Sequence, residues 1–535
     1  MLSKTIRILA LLSIVATAFA YAPAVKAGPQ ACSRRTNDTF EKLTECVTLA
    51  GVREHQAALQ AIADDNGGTR LAGTQGYEES VDYVVEKMTA AGYNVTLDDF
   101  PFVFLPPAVL QQTAPITATY ATGAFTGSGS GTVSASVTPI DVVLALPRDP
   151  VTSGCDGAFT EAAVGAPIVP DPAGPDDFAG FVAGNIALVQ RGGCSFALKA
   201  YNAQAAGAGA MILFNQGNTP ARETLIVGTL VGAVVPGPVN IPVVGASFAD
   251  GAALAQAGSA ATIIVEEPQN ITLHNVIAES KTGDPNNVVM AGAHLDSVAA
   301  GPGINDNGSG SATLLEVAEQ FAKVKPVSKV RFAWWGAEEA GLVGSTAYVA
   351  GLSQAERDKI TLYLNFDMVG SPNYVFFIYD GDNSDGVGAP AGPAGSAAIE
   401  KTFEDYFNLV GEPFKGTDFT GRSDYGPFIA PAVGIPAGGL FTGAEGVKTA
   451  QEAAIWGGTA GQQYDPCYHL VCDTFANNNN HALDVNSDAV AYAVALFGMR
   501  DFVLNPLVDP TVVTTTRITG SSDSVHDDQQ AAPAE

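Results

Sequence analysis

The stretch that most constrains the fold is 287–321, where an apolar run leads into a glycine-rich loop and then a helical pattern. The run 288–293 predicts a buried strand, and strand alternation puts His294 and Asp296 on the same face. Apolar residues then recur at helical spacing, which predicts a helix beginning near 309–311. In open α/β sheets, sites are built at the carboxyl edge of the strands. The stretch therefore predicts half of a metal site.

Further strand patterns occur on both sides of this stretch, with helical patterns between several of them. Such alternation indicates an α/β fold, with a mainly parallel mixed sheet flanked by helices. Helices are expected within 37–91, and a closing helix is expected over 487–502. The predicted strands of the sheet are 94–104, 272–279, 330–336 and 360–368, with shorter ones at 374–379 and 438–441.

Acidic residues recur just past or between the predicted strands. Taken singly, each would more often be a solvated surface acid, but repetition at one edge of the sheet favours a site that a cation neutralises. Of the six histidines, His294 and His469 lie beside acids or glycines in apolar surroundings, whereas His55 is expected on a helix surface. Two histidines and three carboxylates suit a pair of zinc ions. The acids are Asp306, Glu338, Glu339 and Asp367.

The N-terminus resembles a secretory signal peptide. Two basic residues precede an apolar run at 8–20, with small residues suited to cleavage after Ala20 or Ala27. The run is too short for a membrane anchor, and prolines interrupt the later uncharged stretch 225–247. We therefore predict a secreted protein, extracellular or periplasmic, with no membrane partner. The tail 506–535 lacks periodicity and is expected to be disordered or trimmed.

The cysteine content indicates the cellular compartment, and the net charge limits the kinds of binding partner. Six cysteines in an exported chain favour disulfides, although sequence alone allows 15 connectivities. A cysteine metal site fits poorly because no spacing is Cys-x2-Cys. The formal net charge of −29 repels nucleic acid, which is therefore not expected as a partner. The hypothesis is three local couples, Cys32 with Cys46, Cys155 with Cys194, and Cys467 with Cys472.

Between about 124 and 262 the composition shifts to Gly, Ser, Ala, Val and Pro. The turn Arg-Gly-Gly-Cys-Ser-Phe at 191–196 and the later Ile-Pro-Val-Val at 241–244 resemble the signature of the protease-associated domain. The region contains no histidine, so we interpret it as a smaller, β-rich, non-catalytic insertion. The predicted domains are a signal peptide 1–27, the N-terminal part of a peptidase domain 28–123, the insertion 124–262, the main peptidase part 263–505 and a tail 506–535.

Five motifs together are highly specific: Gly-Ala-His-Leu-Asp-Ser at 292–297, Ile-Asn-Asp-Asn-Gly-Ser-Gly at 304–310, Trp-Gly-Ala-Glu-Glu at 335–339, Asn-Phe-Asp-Met at 365–368, and Cys-Tyr-His at 467–469 with Cys-Asp at 472–473. They resemble the secreted di-zinc aminopeptidases. With the inserted domain, the subgroup most similar to the chain is the aminopeptidase Y type, which is leucyl aminopeptidase-like. The resemblance spans about 50–500 and implies the zinc-peptidase fold.

The resemblance also implies a role for each matching residue. It implies His294 and Asp367 on one zinc ion, Glu339 and His469 on the other, and Asp306 bridging the two. Glu338 would be the general base that later protonates the leaving amine. Asp296 would orient His294 from behind the metal, and Tyr468 would stabilise the oxyanion.

Substrate contacts follow from the same resemblance. Arg422 would contact the substrate near the oxyanion, and Gly421 and Phe441 would line the pocket for the first side chain, which suggests leucine or another large apolar residue. Two alternatives stay open, because Tyr468 could be a packed aromatic residue and Arg422 could form an ion pair with Asp424.

The expected function is removal of the N-terminal residue from peptides or proteins by a monomer that holds two Zn²⁺. The free amine would lie against Glu338 and Asp367, so a blocked N-terminus should be inert. A glutamate-type carboxypeptidase is the nearest alternative because it shares the metal set. A glutaminyl cyclase would need one zinc ion. A non-catalytic receptor-like protein is disfavoured because this chain keeps all five expected ligands.

Overall fold

A computed structural model of the chain describes residues 26–149, 151–171, 176–231 and 237–500. The chain divides into two compact units, one formed by Met1–Phe100 with Leu273–Glu535 and the other by Pro101–Thr272. The expected signal peptide, up to residue 25, and the expected tail 506–535 lie outside the described residues. Within those residues, no helix combines the length and the apolar character that crossing a membrane requires.

The helices and strands follow in chain order. The helices are α1 (Pro29–Arg34), α2 (Phe40–Thr44), α3 (Leu49–Asp65), α4 (Gln75–Ala91), α5 (Phe196–Ala205), α6 (Phe248–Leu254), α7 (Gly308–Phe321), α8 (Val343–Gly351), α9 (Gln354–Arg357), α10 (Ser396–Val410), α11 (Gly426–Ile429), α12 (Ala450–Trp456) and α13 (Asn480–Gly498). The strands are β1 (Asn94–Phe104), β2 (Val109–Ala114), β3 (Ala118–Tyr120), β4 (Gly131–Ile140), β5 (Phe159–Glu161), β6 (Ile168–Pro170), β7 (Ile186–Gln190), β8 (Ala210–Phe214), β9 (Val243–Ala246), β10 (Ala260–Val265), β11 (Gln269–Glu279), β12 (Asp284–His294), β13 (Ser328–Trp335), β14 (Ile360–Phe366), β15 (Phe377–Tyr379), β16 (Lys415–Thr417) and β17 (Ala437–Phe441).

The first unit contains an eight-stranded sheet with the order β1-β11-β13-β12-β14-β17-β15-β16. Its centre is parallel, because β12 pairs in parallel with both β13 and β14, and β14 pairs in parallel with β17. Strands β11 and β15 run antiparallel to β13 and β17. Central strands are buried on both faces, so they read as continuous apolar runs. The α/β fold with a mainly parallel mixed sheet is confirmed.

Parallel pairing brings the carboxyl ends of the central strands to one edge of the sheet. In register, His294 at the end of β12 lies opposite Trp335 at the end of β13. Strand β14 ends one residue before Asp367. The segments that follow these strands therefore start from the same edge.

Two helices begin earlier than their apolar patterns predict, because asparagine caps define their first turns. Helix α7 starts at Gly308, where the side chain of Asn307 accepts the backbone N–H of Gly310. Helix α13 spans Asn480–Gly498 instead of 487–502, and the side chain of Asn479 accepts two backbone N–H groups of its first turn. A capping side chain satisfies donors that a helix leaves free, so the cap fixes the boundary.

The expectation that His55 lies on the surface is wrong. Its side chain is 2% exposed, and Nδ1 lies 2.8 Å from the Tyr83 hydroxyl. The reason is that α3 packs against both α4 and α7, so two faces of α3 are covered and the histidine lies on a covered one.

The second unit contains a seven-stranded sheet with the order β3-β2-β10-β4-β7-β8-β9. Strands β4, β7, β8 and β9 pair in parallel, and α5 connects β7 to β8. Strands β2 and β3 belong to this sheet although they precede residue 124, where the composition shifts. They are not glycine-rich, so composition gave no sign of where this compact unit begins.

Three disulfides join the cysteines as the local couples predicted, Cys32–Cys46, Cys155–Cys194 and Cys467–Cys472. The first and third lie in the first unit, and the second lies in the other unit. The Cys467–Cys472 bond closes the loop that carries His469.

Candidate metal centre

Five side chains expected to bind metal converge at the sheet edge. They form two groups of three whose candidate ligand atoms lie within 4.8 Å of one another. The His294 group contains His294, Asp306 and Asp367, and the His469 group contains Asp306, Glu339 and His469. Asp306 belongs to both, and we refer to the five residues together as the edge cluster.

The two oxygens of Asp306 face different histidines. Its Oδ1 lies 3.3 Å from His294 Nε2, and its Oδ2 lies 3.2 Å from His469 Nε2. In the His294 group, Asp367 Oδ1 lies 3.4 Å from His294 Nε2. In the His469 group, Glu339 Oε2 lies 3.0 Å from His469 Nε2. The carboxylate of Asp306 can therefore serve two neighbouring cations.

Two carboxylate oxygens of the edge cluster are buried and accept no hydrogen bond from the residues that the structure describes. They are Glu339 Oε1 and Asp367 Oδ1. The other oxygen of Asp367 accepts the hydroxyl of Ser423 at 2.5 Å. Leaving a buried acceptor unsatisfied costs about 1–3 kcal/mol, and more when it is charged. These oxygens point to a cationic ligand.

Left-handed backbone occurs at three places in the segments that carry the cluster. Ala337, directly before Glu338, has φ 55°; Met368, directly after Asp367, has φ 52°; and His469 itself has φ 57°. Residues other than glycine rarely adopt this region, and it costs energy unless the surrounding structure holds it. The turns direct neighbouring side chains to different sides, so Glu338 and Glu339 can have different partners.

Asp296 supports two parts of the site. His294 Nδ1 lies 3.2 Å from the Asp296 carbonyl and 3.6 Å from its carboxylate, so Nδ1 is the protonated nitrogen and Nε2 is free for a metal. The same carboxylate accepts the backbone N–H groups of Glu338 and Glu339, at 3.1 and 3.3 Å. The expected link from Asp296 to His294 thus runs chiefly through the backbone carbonyl, and the carboxylate orients the two glutamates.

Two further aspartates connect the loop that carries Asp306 to the loop that carries His469. Asp473 accepts the backbone N–H groups of Asn305 and Asp306, at 2.8 and 3.0 Å. Asp465 accepts the Asn305 side chain at 2.7 Å and the Cys467 N–H at 2.8 Å. Both are buried. Sequence reasoning assigned them no role, although Asp473 lies in one of the five motifs.

Arg70 was missed altogether. It is fully buried, and its guanidinium donates to the carbonyls of Pro302 at 3.0 Å, Gly303 at 2.8 Å, and Leu295. These carbonyls flank His294 and Asp306 in the chain. Nothing in the local sequence of Arg70 indicates this contact, since its partners lie more than 200 positions away.

Burial and crowding shift the pKa values in the cluster. Burial, reinforced by the charge of Asp306, raises the pKa of Glu339 to about 7. Burial disfavours the charged form of His469, but hydrogen bonds to Asp306 and Glu339 outweigh it and raise its pKa to about 10. Burial also raises the pKa of Glu338 well above its usual range. Acids outnumber histidines here, so the cluster favours cations.

A cavity of about 300 Å³ opens onto the cluster. Glu338 and Tyr468 line it together with an apolar wall. Phe441 lies in that wall, as expected, whereas Gly421 is not among the lining residues. Gly421 is exposed, and its N–H donates to the hydroxyl of Tyr425, which does line the cavity, at 2.9 Å. The apolar wall is formed by Met368, Phe377, Tyr379 and Phe441, with Tyr464 beside them.

Arg422 and Tyr468 stand together at the cavity mouth. Arg422 Nη2 donates to the Tyr468 hydroxyl at 3.3 Å, and Nη1 pairs with Glu445 at 2.7 Å. The alternative that Arg422 pairs with Asp424 is wrong, because Asp424 is buried while the Arg422 side chain is 62% exposed. The Tyr468 ring stacks on the His469 ring, with centroids 3.8 Å apart. Tyr468 therefore packs and also presents its hydroxyl.

Known proteins match most of the chain. The model of peptidase family M28 matches residues 275–494, and the PA domain model matches 141–254. The chain is 47% identical over 473 residues to an aminopeptidase of Pseudomonas aeruginosa, covering 86% of this chain and 83% of that protein. It is 40% identical over 478 residues to a probable leucine aminopeptidase 2 of Aspergillus fumigatus, covering 88% and 87%.

Solved structures agree with this family. A zinc aminopeptidase from Bacillus subtilis superposes with a TM-score of 0.56 at 25% identity, over 84% of this chain and 94% of that one. The sequence relatives and the family model together lead to one conclusion: this chain is a member of peptidase family M28 that contains a PA domain.

Proposed function

We propose that this protein is an aminopeptidase that holds two zinc ions in the edge cluster and removes the N-terminal residue from peptides. The observation that carries the proposal is the sharing of Asp306 between two groups of three ligand atoms. The relatives named as aminopeptidases in Pseudomonas and Aspergillus support it. So does the likeness to a zinc aminopeptidase from Bacillus.

The donor atoms suit zinc. Each group offers one imidazole nitrogen and carboxylate oxygens, which are common zinc ligands at about 2.0–2.2 Å. Ligands at that distance in a tetrahedron stand about 3.3 Å apart, and the nitrogen–oxygen distances here are 3.0–3.4 Å. Two ions would also satisfy the buried oxygens of Glu339 and Asp367 that lack hydrogen bonds. The proposed sets are His294, Asp306 and Asp367 for one ion, and Asp306, Glu339 and His469 for the other.

When bound, such ions would lower the pKa of a water molecule and polarise the scissile carbonyl. Glu338 would then accept a proton from the attacking water and pass it to the leaving amine. Its carboxylate lines the cavity 3.9 Å from His294 Nε2, and its backbone is fixed by Asp296. Burial raises its pKa, which brings a carboxyl group nearer to the range useful for proton transfer at neutral pH.

Tyr468 would donate its hydroxyl to the oxyanion, and Arg422 would orient that hydroxyl. Arg422 Nη2 lies 3.3 Å from the hydroxyl oxygen, so the guanidinium donates to it and leaves the O–H free to point into the cavity. A preorganised donor of this kind contributes about 2.7–4 kcal/mol in well-studied hydrolases.

Specificity would come from the walls and from charge. The apolar wall suits leucine or another large apolar first side chain. The carboxylates of Glu338 and Asp367 would attract a free α-amine, which restricts cleavage to chain ends. Secretion is part of the proposal, because three disulfides fit an oxidising compartment.

The experiment compares two adjacent glutamates on leucyl and N-acetyl-leucyl peptides. Glu338→Gln should keep two zinc ions per chain and lose about 10²–10⁴-fold in kcat. Glu339→Gln is the matched variant and should lose zinc as well as activity. The wild-type chain should cleave only the free-amine peptide. One zinc ion per wild-type chain, or comparable cleavage of the acetylated peptide, would refute the proposal.

A further inference from the structure

The second unit contains a cavity of about 550 Å³ that none of the chemistry above uses. One side is formed by the turn that follows β7, which includes Arg191 and Phe196. The other side is formed by the segment between β8 and β9, which includes Arg222 and Leu230. All four side chains belong to the same compact unit.

Neither arginine of this cavity forms an ion pair with an acid of the described residues. Arg191 Nη1 donates to the Asn215 side chain at 3.4 Å, and Arg222 Nη1 donates to the Gln216 side chain at 2.5 Å. Among the described residues, no ion pair within 4.0 Å involves either guanidinium, including with Asp149, the one acid that lines the cavity. Each guanidinium therefore has donors left over.

Both arginines line the same cavity. Burial lowers the pKa of Arg191, and the positive charge of Arg222 lowers it further. Two neighbouring cations in a chain with a net charge of −29 are unusual, because acids are abundant and could have paired with them. An anion between the guanidiniums would remove the repulsion.

Beside the arginines, the cavity has apolar walls. Val164 and Val231 line it and are 70% and 64% exposed, and Phe196 and Leu230 lie with them. A ligand that fits would carry an anion and an apolar group.

We propose that this cavity binds the C-terminal carboxylate of a peptide whose last side chain is apolar. The two guanidiniums would take the carboxylate oxygens, since their planar forks match that group. The last side chain would lie against Phe196 and Leu230. The site lies in a unit separate from the edge cluster and does not depend on the activity proposed for it.

The test measures calorimetric binding of acetyl-Gly-Gly-Leu to the full chain, with the C-terminus as free acid or as amide. The acetyl group protects both peptides from removal of the first residue. The free acid should bind at least about tenfold more tightly than the amide, because a charge-assisted pair is lost. Arg191→Met and Arg222→Met should each weaken binding of the free acid by about tenfold or more. Arg148→Met should leave it within about twofold.

Arg148 is the control because its guanidinium lies over the Phe248 ring, 3.9 Å from the centroid, and does not line the cavity. Equal binding of acid and amide, or an unchanged affinity in both arginine variants with native melting temperatures, would overturn the proposal. A glutamyl peptide amide that binds as tightly as the free acid would overturn the assignment to a chain end. Tighter binding of inorganic phosphate would overturn the peptide carboxylate altogether.

Discussion

Two clusters in the first unit each bring histidine and acidic side chains together, and they differ in the hydrogen bonds that their buried acids accept. The Glu316 cluster (His55, Glu316 and Glu319) lies where α3 meets α7. There, Glu316 Oε1 accepts the backbone N–H and the hydroxyl of Thr48, at 3.1 and 3.4 Å. In the edge cluster, Glu339 Oε1 accepts nothing from the described residues.

The pKa values of the histidines differ between the two clusters, because burial lowers that of His55 to about 3, whereas burial of His469 is outweighed by the carboxylates beside it, which raise its pKa to about 10. The pKa values of the two buried glutamates do not differ. Burial raises the pKa of Glu316 to about 7 and that of Glu339 to about 7. The hydrogen bonds do separate the two clusters, because His55 also has a partner in the Tyr83 hydroxyl. The Thr48 donors satisfy Glu316 within the packing, whereas Glu339, which lies beside His469 and Asp306, keeps one oxygen that a cation could satisfy.

The largest effect is expected from Asp306→Asn, which changes the residue that both groups of the edge cluster share. Neutralising it removes one charge from each proposed zinc site. We expect zinc affinity and kcat/KM to fall by about 10³-fold or more, beyond the 10–100-fold typical of supporting residues. Metal content by mass spectrometry and leucyl-peptide turnover would measure this. Glu319→Gln, in the Glu316 cluster, is the control and should keep the wild-type zinc content. Equal zinc loss in both variants would contradict the assignment of the zinc site to the edge cluster alone.

The second prediction concerns stability and Glu316→Gln. The pKa of Glu316 is raised in the folded state, so its contribution is fully favourable below its unfolded value of 4.5 and is lost as the pH rises through about 7. Helix α3 packs closely on this carboxyl group, since a Cβ added at Gly51 would lie 2.3 Å from the Glu316 carboxyl carbon. The glutamine variant never ionises.

At pH 8 we therefore expect Glu316→Gln to raise the free energy of unfolding by about 3 kcal/mol, with the difference vanishing at pH 4.5. Denaturant titrations at the two pH values measure it, and zinc content should not change. Glu54→Gln, an exposed acid on α3, should change stability by less than about 0.5 kcal/mol. A variant less stable than wild type at pH 8 would mean that the Glu316 charge is needed, as in the edge cluster.

Much of the edge cluster could be predicted because its signals are local. Apolar runs identify β12, β13 and β14, and parallel pairing brings their ends together, so acids and histidines that follow them must meet. His469 follows no such strand, and its assignment as a ligand rested on the resemblance to the di-zinc aminopeptidases. The disulfide couples were also predictable, since each pair is separated by at most 39 positions.

The features that the sequence did not predict depend on packing between distant segments. His55 seemed exposed because one helix cannot show which of its faces its neighbours will cover. Arg422 lies two positions from Asp424, yet it pairs with Glu445 because the backbone buries the nearer acid. The beginning of the second unit was missed because β2 and β3 carry no compositional mark. Arg70 belongs with these failures.

Arg70 adds a contrast to the two clusters. It is a buried cation near the edge cluster, but its guanidinium donates to three carbonyls and forms no ion pair with the described acids. Burial lowers its pKa only to about 10, so it stays charged at neutral pH. It could act by charge, which would repel zinc, or by fixing the loops, which would favour zinc. The two roles therefore predict opposite changes in zinc affinity when the Arg70 guanidinium is removed.

We expect the loop role to dominate, so Arg70→Met should weaken zinc affinity by about 10–100-fold, measured by competition with a chromophoric chelator. Arg70→Lys keeps the charge but loses the planar fork, and it should restore only a small part of the affinity. If charge repulsion dominated, the methionine variant would bind zinc more tightly than wild type and the lysine variant would resemble wild type. Arg53→Met is the matched control, because that guanidinium lies 3.4 Å from the Phe475 ring centroid, in the same unit, and touches no residue of the edge cluster. A similar loss of zinc affinity in the Arg53 variant, whose arginine is only partly buried, would mean that the effect is not specific to the contacts of Arg70 with the loops around His294 and Asp306.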